Sequence, residues 1–230
     1  MESFSIDEIS NYTNSIITFV INGASTKLPL KEKDMISTIN IKGKLFYMAL
    51  SHAKTALKET YGLMLADVPD SKSGKAYICH SEEPGLSLLL FDEDQQRHIT
   101  LLFVILSYLF MRGSDTPHKT KTTEEDLKTF LDGLRIKFDE YHPYFGQNLK
   151  KLITETFVKQ LYLKREKDVS ELDSETKFNY YWGFRAHSEF DKKLLLDATA
   201  KILKKPPTFF VAKHQELYGN EDVEMSSSTN

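Results

Sequence analysis

Only one cysteine, Cys79, stands among 230 residues, so the chain can close no internal disulfide and assemble no thiolate metal cluster. That economy suits a reducing compartment. Long apolar runs are also missing, and nothing approaches the roughly 20 uncharged residues that a membrane span requires. The opening stretch MESFSIDEIS has neither a basic start nor an apolar core, so neither secretion nor membrane insertion is expected. Without that export signal, the glycosylation pattern Asn11-Tyr12-Thr13 carries no weight. The chain lacks H-E-x-x-H, G-x-G-x-x-G, a Walker loop and G-x-S-x-G, and Gly74-Lys75 has no upstream glycine at phosphate-cradle spacing. Cys79 and His80 are neighbours that would face opposite sides of a strand, and no second cysteine completes a zinc site. No metal, no cofactor and no catalytic residue is therefore expected.

What is present is ordinary globular material, 40% hydrophobic and 27% charged, enough for one or two cores. The net charge of −3 argues at first against a nucleic-acid partner, but its distribution does not. Residues 214–230 hold Glu216, Glu221, Asp222 and Glu224 with no Lys or Arg, and without them the balance is 30 basic to 29 acidic residues. The excess is concentrated in two places. Lys42, Lys44, Lys54 and Lys58 lie in 42–58 without an acid, while Lys150, Lys151, Lys159, Lys164, Arg165 and Lys167 in 147–167 face only Glu155 and Glu166. A solvated helix face and an anion-binding surface both account for such segregation.

Glycine and proline are sparse and fall where elements end. Apolar spacing predicts a helix from Ile6 to Ile21, closed by Asn22-Gly23, a short helix after Pro29 over 31–38, and a longer one over 42–61 stopped by Gly62. Residues 63–68 and 76–80 read as a hairpin around a flexible polar tip. The same order then returns. After the run 86–91, a helix over 96–111 is apolar nearly all round, Thr123-Glu124-Glu125-Asp126 caps the next to about Leu134, and 146–160 forms a third. Strands over 162–167 and 178–184 follow, then a closing helix over 186–203 that Pro206-Pro207 stops. Three helices and a wing, twice over, make a tandem winged helix that is mainly α with short hairpins. The expected division is 1–85, 86–213 with the closing helix, and a disordered acidic, serine-rich tail over 214–230.

Phe178-Asn179-Tyr180-Tyr181-Trp182-Gly183-Phe184-Arg185-Ala186-His187-Ser188-Glu189 resembles the W-G-P-R-A-x-x-E signature of the MAGE (melanoma-antigen) homology family, which follows an aromatic strand. Leu161-Tyr162-Leu163-Lys164-Arg165-Glu166 is similar to its Y-L-x-Y-R-R strand. Residues 105–113 with 123–134 resemble its I-F-M-x-G … S-E-E-D-L-W-x-F-L run, and Pro29-Leu30-Lys31-Glu32-Lys33-Asp34-Met35-Ile36 its P-I-T-K-A-E-M-L. The departures are Phe184 in place of proline, a longer loop over 114–122, and Gly23-Ala24 in place of Lys-Tyr. Such divergence is most like the family's non-SMC element three branch. The aromatic and glycine residues of the signature need no catalytic role: Trp182 and Phe178 would pack on the final helix, Gly183 would allow a sharp turn, and Arg185 with Glu189 would pair or bond backbone groups.

That resemblance implies a tandem winged helix and a non-enzymatic nuclear adaptor of the SMC five/six chromosome-maintenance and repair complex, able to stimulate a RING-type ubiquitin ligase. It implies a RING-type element one subunit on the first unit, at Val20 and Ile21, and a kleisin element four subunit on the second, at Leu106, Phe110, Leu194 and Leu195. At each of these positions a core role stands beside the interface role. Largely non-specific double-stranded DNA binding is expected from Lys150, Lys151, Lys159, Lys164, Arg165 and Lys167, with the wing turned to the same side as the third helix. Two other readings stay open, a sequence-specific winged-helix transcription regulator and a hydrolase with an unrecognised site.

Overall fold

The computed structural model describes residues 4–69, 74–83, 92–116, 119–168 and 177–219. Its first half opens with α1 (Ile6–Ala24), where the Ser5 hydroxyl accepts a hydrogen bond from the Glu8 amide at 3.1 Å. A strand of two residues, β1 (Leu30–Lys31), leads into α2 (Glu32–Ile39), and α3 (Gly43–Tyr61) follows, ending at Gly62 with φ 62°. The hairpin is β2 (Leu63–Asp67) and β3 (Ala76–Ser81), with β1 on the far side of β3, so the antiparallel sheet has the order β1-β3-β2. Inward residues of α1 and α3, among them Ile16, Val20, Phe46, Ala49, Ala53 and Leu57, close over Leu65, Tyr77 and Cys79 of the sheet to form one apolar core.

The second half repeats the plan. Helix α4 (Glu93–Arg112) begins where the Asp92 carboxylate accepts from the Gln95 amide at 2.8 Å, and it buries Leu101, Leu102, Ile105, Leu106, Leu109 and Phe110. Strand β4 (Thr122–Thr123) leads into α5 (Glu124–Gly133), whose start is a reciprocal box: Thr123 Oγ1 accepts from the Asp126 amide, and the Asp126 carboxylate accepts from the Thr123 amide. The third helix is α6 (Leu149–Lys151), a π-helical stretch Leu152–Thr156, and α7 (Phe157–Lys159). Strands β5 (Leu163–Lys167) and β6 (Phe178–Trp182) complete a sheet of order β4-β6-β5, the same order as in the first half. The chain is a tandem winged helix, mostly helical with two small antiparallel sheets.

Several expectations need correction. The closing helix is two helices, α8 (Phe184–Glu189) and α9 (Lys192–Ile202), because Phe190 is extended and the Asp191 carboxylate caps a new start, accepting from the amides of Lys193 and Leu194. A 3-10 turn (Pro207–Phe209) and α10 (Val211–Tyr218) follow, so 214–218 belong to a helix and not to a disordered tail. Helix α1 continues through Asn22-Gly23. A Cβ at Gly23 would meet the Leu30 side chain at 2.5 Å, so this glycine permits close packing and does not end the helix. Part of the hairpin tip, the run 86–91, and 220–230 lie outside the described residues.

The signature residues join the two halves. A Cβ at Gly183 would lie 2.2 Å from the Leu161 carbonyl oxygen, so only glycine lets β6 pass this turn. Its φ of −87° shows that close approach, not a special turn, requires it. Trp182 is buried against α4, its Nε1 donating to the Leu106 carbonyl at 3.0 Å, while the Phe178 ring lies under the Arg165 guanidinium and not on the final helices. Arg185 is 1% exposed and donates from Nε to Gln160 O, from Nη1 to Cys79 O and Glu189 Oε1, and from Nη2 to Lys27 O, each at 2.9 Å. Cys79 and Lys27 belong to the first half, Gln160 and Glu189 to the second. Lys27 Nζ also pairs with Glu189 at 3.3 Å, and the Tyr162 hydroxyl donates to Glu189 Oε2 at 2.6 Å. Burial, then the Glu189 carboxylate, holds the Tyr162 phenol well above its ordinary pKa. One planar fork thus bolts the winged helices together through main-chain carbonyls.

Candidate partner and nucleic-acid surfaces

On the first half, helical phase separates the two aliphatic residues expected to meet a RING-type partner. Val20 is fully buried in the core, which corrects the expectation that both are exposed, whereas Ile21, one residue on, is 40% exposed. Beside it, α1 and α2 border a hollow of about 740 Å³ lined by Asn14, Ser15, Thr18, Asn22, Thr38 and apolar neighbours, with no charged side chain. A polar, uncharged wall next to an exposed aliphatic residue has the charge-poor composition of an interface centre.

On the second half, Leu106, Phe110 and Leu195 are core residues, and only Leu194 is exposed, at 60%. The face of α4 beside α9 is in part covered. Lys213 of α10 sets its Nζ 4.4 Å over the Phe110 ring, and Leu217 and Tyr218 pack against the same core. Sequence reasoning missed this covering helix because residues 214–224 are acidic. The amphipathic pattern Lys213-x-x-Glu216-Leu217 after Pro206-Pro207 is the signal that identifies it.

The basic segment divides by what each charge already touches. Arg165 donates from Nε and Nη2 to Glu124 Oε2 at 3.1 and 2.6 Å and lies 3.5 Å over Phe178, so it is a strut within the fold. Strand alternation sends Lys164 to the face opposite Arg165 and Lys167, which corrects the expectation that the wing turns all its cations one way. Lys150 and Asp139 meet at 3.5 Å, Lys159 and Glu155 at 3.0 Å, and Lys164 and Glu166 at 2.8 Å. These are exposed pairs of little strength that a phosphate can outcompete. Lys150 and Lys151 border a hollow of about 360 Å³ with Phe138, Asp139, Asn148, Thr154 and Glu155, at the start of the third helix and beside its π-helical stretch. Asn148, the amide at this helix start, is the left-handed N-cap residue, with φ 59°.

Comparison with known proteins places this architecture. Residues 80–193 match the model of the MAGE homology domain. Human melanoma-associated antigen D2 is 29% identical over 206 residues, covering 88% of this chain and 32% of its own length. Human trophinin is 26% identical over 204 residues, covering 88% and 14%, and human melanoma-associated antigen B3 is 25% identical over 223 residues, covering 96% and 62%. The chain thus spans about a third or less of the first two of these relatives. Among solved structures, a chain of an Nse1-Nse3-Nse4 complex superposes with a TM-score of 0.76 at 25% identity, covering 93% of this chain and 99% of that one. No described helix is long and apolar enough to cross a membrane.

Proposed function

The chain belongs to the MAGE homology-domain family, and from that premise we propose that it is an Nse3-like, non-catalytic adaptor of the SMC five/six complex. It holds a RING-type subunit on its first winged helix and a kleisin subunit on its second, acts in the nucleus and contacts double-stranded DNA. The observation that carries this reading is the match over 99% of a chain from an Nse1-Nse3-Nse4 complex, a match of whole architecture and not of one motif. The bolted junction at Arg185 supports it, because a bridge needs its two docking faces held at a fixed angle.

In this reading the RING-type subunit takes Ile21 and the uncharged hollow beside it, while the kleisin takes Leu194 and the α4–α9 face. DNA meets Lys150 and Lys151 at the start of the third helix, with Lys159, Lys164 and Lys167 adding to the local potential. A sequence-specific regulator is less favoured, because this helix start presents lysines and a left-handed asparagine in place of a bidentate base-reading set. The division of the chain at 85/86 is part of the same reading.

The test is purification of the chain from its native cells under mild salt, with identification of what accompanies it in stoichiometric amount. A RING-type subunit, a kleisin and the SMC five/six pair are expected. Recovery of the chain alone, or with transcription machinery instead, overturns the assignment.

A further inference from the structure

Helix α10 is attached to the rest of the second winged helix by the partly buried Leu217 and Tyr218 and by a set of polar contacts. Lys119 donates to Glu216 Oε1, Lys213 Nζ lies 3.0 Å from Glu216 Oε2, and Lys193 Nζ stands 4.7 Å over the Tyr218 ring. Only Lys213 is buried in α10, Val211 is 60% exposed, and the helix start has no side-chain cap. Beneath it lies Asp115, whose side chain is wholly buried. Its Oδ2 accepts from Lys192 at 2.7 Å, but its Oδ1 has no hydrogen bond among the described residues, the Lys119 ammonium standing 3.8 Å away. Burial raises the Asp115 carboxyl, and the Lys192 hydrogen bond with the charges of Lys192, Lys119 and Lys213 outweighs it, leaving the acid below its ordinary range. Lys213 is the cation that α10 adds to this group, after the larger contributions of Lys192 and Lys119.

We propose that α10 is a resident occupant of the α4–α9 face that a helix of the kleisin subunit displaces, and that the displacing helix repeats the pattern of α10, a basic residue followed three positions later by an acid and then an aliphatic residue. The proposal rests on the reading that the second winged helix holds a kleisin. The basic residue replaces Lys213 over Phe110 and toward Asp115, and the acid replaces Glu216 on Lys119. A helix with one buried residue and no cap opens locally far more easily than α4, whose apolar side chains fill the core. The connection 203–210, with Lys204 at φ 53° and Pro206-Pro207, reaches roughly 26 Å when extended, enough for α10 to leave while α9 stays in place.

The experiment compares the full-length wild-type chain with Glu216→Lys, with Leu217→Asp, and with Glu216→Lys combined with Lys119→Glu. Hydrogen exchange reports on 211–218, and titration with the purified kleisin subunit reports affinity. Loosening α10 in either single variant is expected to speed exchange there, leave α4 protected and tighten kleisin binding by about fivefold, because more of the chain is competent to bind. The charge swap is expected to move both readouts back toward wild type. Unchanged or weaker binding in both single variants makes α10 a fixed part of the docking surface and overturns the proposal, as does exchange in 211–218 as slow as in α4 in both. If no form binds the kleisin subunit while Glu216→Lys still frees α10, the adaptor reading fails and this proposal fails with it.

Discussion

Replacing Arg185 with Met retains the length and much of the apolar contact of the side chain while removing every donor that the guanidinium supplies to the junction. Three carbonyls, those of Lys27, Cys79 and Gln160, then lose their partner in a buried setting, and Glu189 loses the 2.9 Å ion pair. Breaking a buried pair from one side costs about 3–5 kcal/mol. Glu189 keeps Lys27 at 3.3 Å and the Tyr162 hydroxyl at 2.6 Å, which places its share near the lower end. Each stranded carbonyl adds a cost of about 1 kcal/mol or more unless water reaches it. A total of about 6 kcal/mol follows, and at about 2–4 °C per kcal/mol for a chain of this size the melting temperature falls by roughly 12–24 °C. Because two of the carbonyls are in the first winged helix and the arginine is in the second, the loss falls on their union, so differential scanning calorimetry should show one transition in wild type and two in Arg185→Met. Arg185→Lys, able to satisfy Glu189 but not the carbonyls together, should fall between. A single transition in Arg185→Met within about 2 °C of wild type would refute the bolt.

Five further expectations follow from the same geometry. Lys150→Glu with Lys151→Glu should weaken binding to any duplex and flatten the log–log salt dependence by roughly one unit per lost phosphate contact, and an unchanged slope would move DNA binding off the third helix. Ile21→Asp should lower affinity for the RING-type subunit by about 2 kcal/mol in a pull-down or titration while the melting temperature holds. Val20→Ala instead should destabilise the fold, being a core truncation. Leu194→Asp should weaken kleisin binding without loss of stability, and equal affinity would exclude that face. Asp115 has a folded pKa below its unfolded one, so its contribution is complete above the unfolded value of about 4 and disappears as pH falls through the folded value. The stability difference between wild type and Asp115→Asn in urea titrations should therefore be constant above about pH 5 and shrink below pH 4; a gap that persists unchanged into acid contradicts the assigned ionisation.

Much of the architecture is legible in sequence because helices and caps are local. The spacing of Leu45, Ala49, Ala53 and Leu57, the box at Thr123 and Asp126, and the Arg185–Glu189 interval of one helical turn all state their outcome in neighbouring residues. The strands β1 and β4 are different, since two residues carry no alternation and exist only because β3 and β6 offer a free edge. The break at Phe190-Asp191 was readable in part, Asp191 being a good cap, but apolar periodicity ran across it. Site residues were less legible than elements. Val20 and Ile21, or Leu194 and Leu195, are chemically alike and differ only in helical phase, which tertiary packing sets to within one residue. Arg165 looks like any surface cation until Glu124, distant in sequence, places a carboxylate beside it.

The account stands or falls on bridging, and bridging is measured directly by light scattering on size-exclusion chromatography of the RING-type subunit and the kleisin subunit, mixed with and without this chain. The prediction is a ternary complex of equal stoichiometry that forms only when the chain is present, dissociates toward the RING-type side with Ile21→Asp, and dissociates toward the kleisin side with Leu194→Asp. Assembly of the other two subunits to the same extent in its absence, or a chain that elutes alone beside them, would contradict it.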